Sequence, residues 1–212
     1  MKNIVIYGSG GMAREIVELI EDINEVKPTW KIKGYIDDIK GAQQEAINGY
    51  QVLGTKKLLK DLAPDTYMVL AIADPSAKEK IHQTIKDYHF NFATLIHPSA
   101  KVAKNALVGE GSIIGIDCII SVNVVIGSHV FLNMRSVVGH DTVIQDYASC
   151  LVNCIIAGNV VIQEGAFLGS NCVIMEKKRI GQKAKISMGS VVNFDVEDGV
   201  VVMSRPSKIM KF

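Results

Sequence analysis

From Val102 onward an aliphatic residue returns every six positions. The series runs through Val108, Ile114, Ile120, Ile126, Leu132, Val138, Ile144, Cys150, Ile156, Ile162, Leu168, Ile174, Ile180 and Ile186 to Val192, and only Cys150 is not Ile, Leu or Val. A second row follows four residues after each, from Ala106, Ser112 and Cys118 to Ala166, Cys172 and Ser190; all but Lys178 are small or β-branched. A fixed short period of this kind marks a parallel β-helix. Three six-residue rungs make one triangular coil, and coils stack as parallel strands about 4.8 Å apart. The large residue fills the prism and the small one fits near a corner. The run of rungs gives roughly five coils. Gly109, Gly115, Gly127, Gly139, Gly169 and Gly181 directly follow the aliphatic residue, which predicts a sharp turn of positive φ there. Lys178 predicts a local bulge or outward turn.

Residues 1–95 carry a different rhythm. Asn3–Tyr7 is a continuous apolar strand and Gly8-Ser9-Gly10-Gly11 a turn; Ala13, Ile16, Val17, Leu19, Ile20 and Ile23 then fall at helical spacing. Ile32–Ile36 reads as a second strand ending at Asp37-Asp38, and 49–54 as a short strand or loop. Thr55 is placed to cap a helix through Leu62. Tyr67–Ala73 is a third strand, followed by Asp74-Pro75-Ser76 and a helix to about Tyr88, with Phe92–Ile96 as a fourth strand. Strand–helix alternation predicts a small parallel sheet with helices on its faces. The chain therefore divides into a Rossmann-like α/β domain over 1–95 and a β-helix with its tail over 96–212.

The glycine turn follows a strand and opens a helix, so backbone N–H groups and the helix N-terminus are positioned to hold a phosphate. A turn that merely permits tight packing fits the same residues. A dehydrogenase would set Asp37 or Asp38 on an adenosine ribose, yet 95 residues are short for a two-halved dinucleotide domain and no hydride-transfer site is visible.

Composition narrows the classes. A chain of 212 residues with 48% hydrophobic content suits one large or two small domains. Net charge of +1 leaves no electrostatic footprint for nucleic acid. No apolar run approaches the roughly 20 residues of a membrane span, and the first residues lead straight into a strand without a signal-peptide pattern, so a cytoplasmic address is expected. Cys118, Cys154 and Cys172 lie in the small row and Cys150 in the large one; their spacing matches no zinc motif and reads as buried free thiols. No metal is expected.

Three features occur in order: the strand–Gly-turn–helix, Tyr35-Ile36-Asp37-Asp38 closing the second strand, and Ile96-His97-Pro98-Ser99-Ala100 opening the six-residue repeat. Met203-Ser204-Arg205-Pro206-Ser207 follows the last rung. Together they resemble the hexapeptide-repeat sugar acetyltransferases, which include the sialic acid O-acetyltransferase and the nucleotide-linked 4-amino-sugar N-acetyltransferases. The resemblance implies a left-handed coil, acetyl-CoA as cosubstrate, a homotrimer, and a sugar nucleotide (UDP- or dTDP-linked) held by the amino-terminal domain through Gly8, Gly10, Gly11, Asp37 and Asp38. Within Asn133–Thr142, His140 falls on the family's histidine, a general base. Without the resemblance it reads as a surface histidine.

Asn133 matches the position that orients the acceptor, and Gly158 the backbone N–H that meets the thioester oxygen. Ala157, Gly158, Ser149, Gly169 and Gly189 are expected along the cofactor. Three positions depart from the family pattern: Gly139 stands where many members have Glu, leaving Asp141 or Asp146 to pair with the histidine; Ser149 replaces a second histidine; and Met12 replaces a His after the glycine turn. The resemblance implies N-acetylation of a nucleotide-linked amino sugar, with sugar O-acetylation and a non-catalytic sugar-nucleotide-binding protein as alternatives. Lys177-Lys178-Arg179 is either a solvated face or a contact to CoA phosphate. His97 is expected to frame the acceptor pocket, His129 to lie at the surface or a trimer contact, and His82 and His89 to be solvated. An outward stripe of Val125, Phe131, Met134 and Val137 is expected to supply apolar trimer contact.

Overall fold

The computed structural model describes residues 1–41 and 46–204. Arg205, Pro206 and Ser207 of the tail lie outside the described residues. The amino-terminal part runs β1 (Lys2–Tyr7), α1 (Gly11–Val26), β2 (Trp30–Ile36), β3 (Val52–Gly54), a 3-10 turn (Lys56–Asp61), β4 (Tyr67–Leu70), α2 (Pro75–Ile85), a second 3-10 turn (Lys86–Tyr88) and β5 (Asn91–Phe92). The five strands are parallel in the order β3-β2-β1-β4-β5. Each helix start has a local cause. Asp74 caps α2 by accepting from the Ala77 N–H at 2.8 Å, with Pro75 in the first turn. Thr55 accepts from the Lys57 N–H, so the expected helix forms as a 3-10 turn.

Alternate side chains of the central strand face opposite layers. Ile4 and Ile6 pack with α1, whereas Val5 and Tyr7 pack with α2 and the first 3-10 turn. The expected fourth strand is two elements. Asn91–Phe92 closes the α/β sheet, while Leu95–Ile96 pairs with Ile113–Ile114 and forms the first rung of the next layer.

The rest of the described chain is a left-handed parallel β-helix of two-residue strands in three sheets. Face 1 holds seven strands, beginning Leu95–Ile96, Ile113–Ile114 and Phe131–Leu132. Face 2 holds six, beginning Lys101–Val102, Ile119–Ile120 and Val137–Val138. Face 3 holds five, beginning Leu107–Val108, Val125–Ile126 and Val143–Ile144. Every pairing joins residues 18 apart until the final turn, where Lys185–Ile186 pairs with Val201–Val202. The aliphatic row fills the prism, and from Ile114 to Val192 it is buried throughout. Three hydroxyls of the small row donate to the next coil: Ser112 Oγ to the Gly127 carbonyl at 2.8 Å, Ser136 Oγ to the Leu151 carbonyl at 3.2 Å, and Thr142 Oγ1 to the Ala157 carbonyl at 3.0 Å. All four cysteines are buried and free; burial pushes the Cys150 thiol up to about 12.

Three expectations about the rungs are corrected. Positive φ falls three residues after the aliphatic residue, as at Asp117, Asn123, Asp141 and Asn159 (φ 55° to 59°), rather than one residue after it. The glycines directly after the aliphatic residue answer a different need, which is close approach of the neighbouring coil. A Cβ on Gly139 would lie 2.6 Å from the Ala157 carbonyl carbon and the Gly158 nitrogen. Lys178 makes no bulge: the Val161 N–H donates to its carbonyl at 2.9 Å, and Arg179–Ile180 pairs in register with Val161–Ile162. The outward stripe dissolves because consecutive rungs lie on different faces. Val125 is on face 3, Phe131 on face 1 and Val137 on face 2, and Phe131 is buried beside α1.

The α/β layer docks on face 1 and on the corner between faces 3 and 1. Leu95, Ile113 and Phe131 join the α1 core. Lys78 of α2 is 2% exposed and donates from Nζ to Ser149 Oγ at 3.0 Å; burial lowers its ammonium to about 7. His82 Nδ1 lies 2.7 Å from the Tyr147 hydroxyl, and Lys183 pairs with Glu79 at 3.1 Å. His129 is buried at this junction rather than at the surface. Its ring stacks on Tyr147 at 5.4 Å and meets His82 at 4.2 Å and Phe92 at 4.7 Å. His82 is likewise packed rather than solvated, whereas His89 is exposed. His129 Nδ1 has no hydrogen-bond partner among the described residues. Burial, then the neighbouring His82 and Lys78, depress its pKa to about 3. A folded pKa below the unfolded value means that the unfolded chain binds the extra proton. The contribution is therefore complete above about pH 6.5 and is lost as pH falls toward 3. Urea unfolding at pH 7 and pH 5 is expected to show the wild type losing about 2 kcal/mol more than His129→Asn. That variant keeps a residue suited to positive φ but removes the titration.

Candidate active site

The strand order changes direction between β1 and β4, and the carboxyl ends of β1, β2 and β4 open a crevice there. A cavity of about 380 Å³ occupies it, lined by Gly8–Met12, Asp37, Lys40 and Ala71–Ala73. Gly8 has φ +103°, and a Cβ would sit 3.0 Å from the Ala71 carbonyl oxygen. The turn is braced from beneath by Asp37. Its Oδ2 accepts from the Ser9 N–H at 3.1 Å and from Ser9 Oγ at 2.6 Å, and its Oδ1 accepts from the Ile39 and Lys40 N–H groups at 2.9 Å. Burial alone would raise the Asp37 pKa, but these donors outweigh it and hold the carboxyl below its ordinary value. Asp38 accepts from the Tyr7 hydroxyl at 2.7 Å and the Lys56 N–H at 2.8 Å. Both carboxylates thus shape the loop. Gly10 caps α1 with no side-chain hydrogen bond, and the first turn holds no acidic residue, so its N–H groups are available to an anion.

Met12 also lines a second cavity, of about 270 Å³, between α1 and the corner joining faces 1 and 2. Its floor is apolar, with Ile16, Leu19, Ile113 and Phe131, and its rim is acidic, with Glu15, Glu18 and Asp22. Asn133 and His97 both line it. His97 bridges the two layers, with Nε2 2.8 Å from Asp22 Oδ2 and Nδ1 2.9 Å from Ser99 Oγ. The Asn133 side chain accepts from the Met134 N–H at 2.7 Å.

His140 stands on the next corner, between faces 2 and 3, two residues beyond the inward Val138. Its side chain is 56% exposed, and Nδ1 lies 2.7 Å from Asp141 Oδ2. Asp141 supplies the acid that Gly139 lacks. Asp146 is engaged elsewhere, accepting from the Ser128 N–H at 2.8 Å. An ionised carboxylate only accepts, so in the neutral imidazole Nδ1 carries the shared proton and Nε2 presents its lone pair. Hydrogen bonds from Asn123 and then His140 hold Asp141 below the usual carboxylate range.

The His140 ring lies over Gly158, one coil along. A Cβ there would fall 2.7 Å from Nε2 and 2.8 Å from Cε1. The Gly158 carbonyl accepts from Lys177, while its N–H donates to no acceptor among the described residues. An accepting imidazole nitrogen and a free backbone donor therefore share one surface, the pairing that acyl transfer requires. Ala157 adjoins them. Gly169 and Gly189 stand on the corner of Asn133 instead, Gly169 buried and Gly189 exposed. Ser149 is corrected: it is fully buried at the domain junction under Lys78 and does not face a cofactor. The αL position of each rung is what the sequence reading missed. It brings Asn123 and Asp141 to the histidine, and the Asn and Asp residues recurring three after the aliphatic row were its signal.

Residues 3–85 match the family model for the PglD N-terminal domain. Over 145 residues, 68% of this chain, the sequence is 30% identical to GDP-perosamine N-acetyltransferase of Escherichia coli O157:H7. Over 114 residues, 54% of this chain, it is 32% identical to UDP-N-acetylbacillosamine N-acetyltransferase of Bacillus subtilis strain 168. The matches span 65% and 51% of those two relatives' lengths. A mutant perosamine N-acetyltransferase from Caulobacter crescentus, solved with CoA and GDP-perosamine, superposes with a TM-score of 0.89 at 26% identity, covering 100% of this chain and 98% of that one. The acetyltransferase domain of PglB from Neisseria gonorrhoeae, solved with acetyl coenzyme A, shares the fold (TM-score 0.88, 24% identity, 99% of each chain).

Gly158→Ala is expected to force the imidazole off its seat and break the contact with Asp141. The crystal structure of the variant, or loss of the downfield Nδ1–H resonance in its NMR spectrum, checks this. The chain is thus similar, in fold along its whole length and in sequence over part of it, to N-acetyltransferases of nucleotide-linked amino sugars.

Proposed function

We propose that this protein is an acetyl-CoA-dependent N-acetyltransferase acting on a nucleotide-linked amino sugar. The observation that carries the reading is the seat of His140 over Gly158, with Asp141 behind it. The acceptor amine attacks the thioester carbonyl, forming a C–N bond as the C–S bond breaks. His140 Nε2 takes the amine proton and returns a proton to the departing CoA sulfur. The Gly158 N–H donates to the carbonyl oxygen as it gains charge, a contribution of about 3 kcal/mol in comparable sites.

Gly8, Gly10, Gly11 and the α1 N-terminus take the pyrophosphate, with Asp37 and Asp38 shaping the loop, and Met12 leads from that cavity to the sugar cavity. There the acidic rim suits an amine and Asn133 orients it. Ala157, Gly158, Gly169 and Gly189 lie along the cofactor. The relatives' names point to N- rather than O-acetylation, and they include both GDP- and UDP-linked sugars, so GDP joins UDP and dTDP as a candidate carrier.

Asn133, Gly169 and Gly189 flank one edge of face 2 and His140, Ala157 and Gly158 the other. Ile119, Ile155 and Val191 expose apolar surface between them. A homotrimer covers such a face and brings one copy's first edge to the next copy's second edge, with three-fold closure preventing open-ended growth. Acetyl-CoA and nucleotide sugars are made in the cytoplasm, which is the compartment this reading implies.

Thiol release from acetyl-CoA, followed with GDP-, UDP- and dTDP-linked amino sugars and with the free sugars, tests the proposal. Turnover is expected only with a nucleotide-linked acceptor, and His140→Ala is expected to lose at least about 100-fold in kcat. Full turnover by that variant would remove the assigned base, and turnover of free sugars at the same rate would favour the O-acetyltransferase alternative.

A further inference from the structure

Asn123, one coil before Asp141, occupies the same αL corner position, at φ +59° against +58°. Its Nδ2 donates to Asp141 Oδ1 at 2.8 Å, and its own Oδ1 accepts from Asn105 Nδ2, one coil earlier still. The orientation of this amide is set by chemistry. A carboxylate cannot donate, so the nitrogen must face Asp141 and the oxygen must face Asn105.

The corner thus carries a chain of side chains, Asn105 to Asn123 to Asp141, each held over the next by the 18-residue coil, and from Asp141 to the adjacent His140. Asp141 is exposed and unsupported by bulk packing. With only His140 attached, its carboxylate would turn freely about its terminal torsion. Oδ2 stays on Nδ1 because Oδ1 is held by Asn123.

We propose that Asn123 is a positioning residue for the acetyl transfer, acting through Asp141 to keep the His140 imidazole in one tautomer and one orientation over Gly158. The inference rests on the reading of His140 as the base. Asn123 touches neither the thioester nor the acceptor, and it does its work by fixing the plane of the carboxylate.

Two substitutions suit the αL backbone. Asn123→Gly deletes the amide without strain, and Asn123→Asp keeps the shape while turning the donor into an acceptor. Thermal melts establish that both fold. Each is expected to lower kcat about tenfold, a fraction of the roughly 100- to 10,000-fold that a positioned base supplies, with KM for acetyl-CoA unchanged. The added negative charge in Asn123→Asp favours the imidazolium, so the acid limb of its kcat/KM profile is expected to move to higher pH. In an Asp141→Asn background, either substitution is expected to cost nothing further.

Wild-type kcat and pH profile in both variants would overturn the inference while leaving the base reading intact. So would an equal fold-loss in the Asp141→Asn background, which marks a structural effect. If His140→Ala itself turns over fully, the base reading fails, and there is nothing for Asn123 to position.

Discussion

Hydrogen bonds between coils run from each strand to the one 18 residues on: the Gly139 N–H to the Ile156 carbonyl, the Ala157 N–H to the Ile174 carbonyl, the Val137 N–H to the Cys154 carbonyl. Because the strands are parallel and the offset is constant, side chains at equivalent places stack along a line. A two-residue strand has little stability of its own, so the prism depends on this ladder and on the aliphatic row inside it. The same stacking that fills the core with Ile120, Val138 and Ile156 also sets His140 over Gly158 and Asn123 beside Asp141. Core packing and site geometry are two readings of one register.

The α/β layer supplies what a prism lacks, which is concavity. A smooth triangular column offers edges and flat faces. Docking α1 on face 1 creates a cleft beside the corner of Asn133, and the glycine turn opens a second at the carboxyl ends of the sheet. Met12 belongs to both. The two cavities adjoin at that side chain, the glycine turn on one side and a pocket with an apolar floor and an acidic rim on the other.

Much of this was legible in the residues. The aliphatic row announced the prism because burial of one side chain per rung leaves a periodic trace. The strand–turn–helix opening and the outward direction of His140 followed from local rules. What escaped was which corner meets which layer. His129 and Tyr147 sit at the αL position like Asn123 and Asp141, yet on a corner that the α/β layer covers, and nothing local to either residue says so. Ser149 was misplaced for the same reason: its role is set by Lys78, 71 positions away in the chain. The acid behind His140 was open between Asp141 and Asp146 because choosing between them needed the corner geometry, with φ positive three residues after the aliphatic position rather than one.

The tether between Lys78 and Ser149 bears on how the chain comes to be folded. Synthesis delivers the α/β layer first, and its sheet is complete at Phe92. Part of the surface that α2 seeks then does not yet exist. Tyr147 and Ser149 emerge more than 50 residues later, and Lys183, the partner of Glu79, later still. The Lys78 amine therefore has no Ser149 hydroxyl to meet until 71 further residues have been made, and the contact that seats α2 on the prism follows the sheet it belongs to.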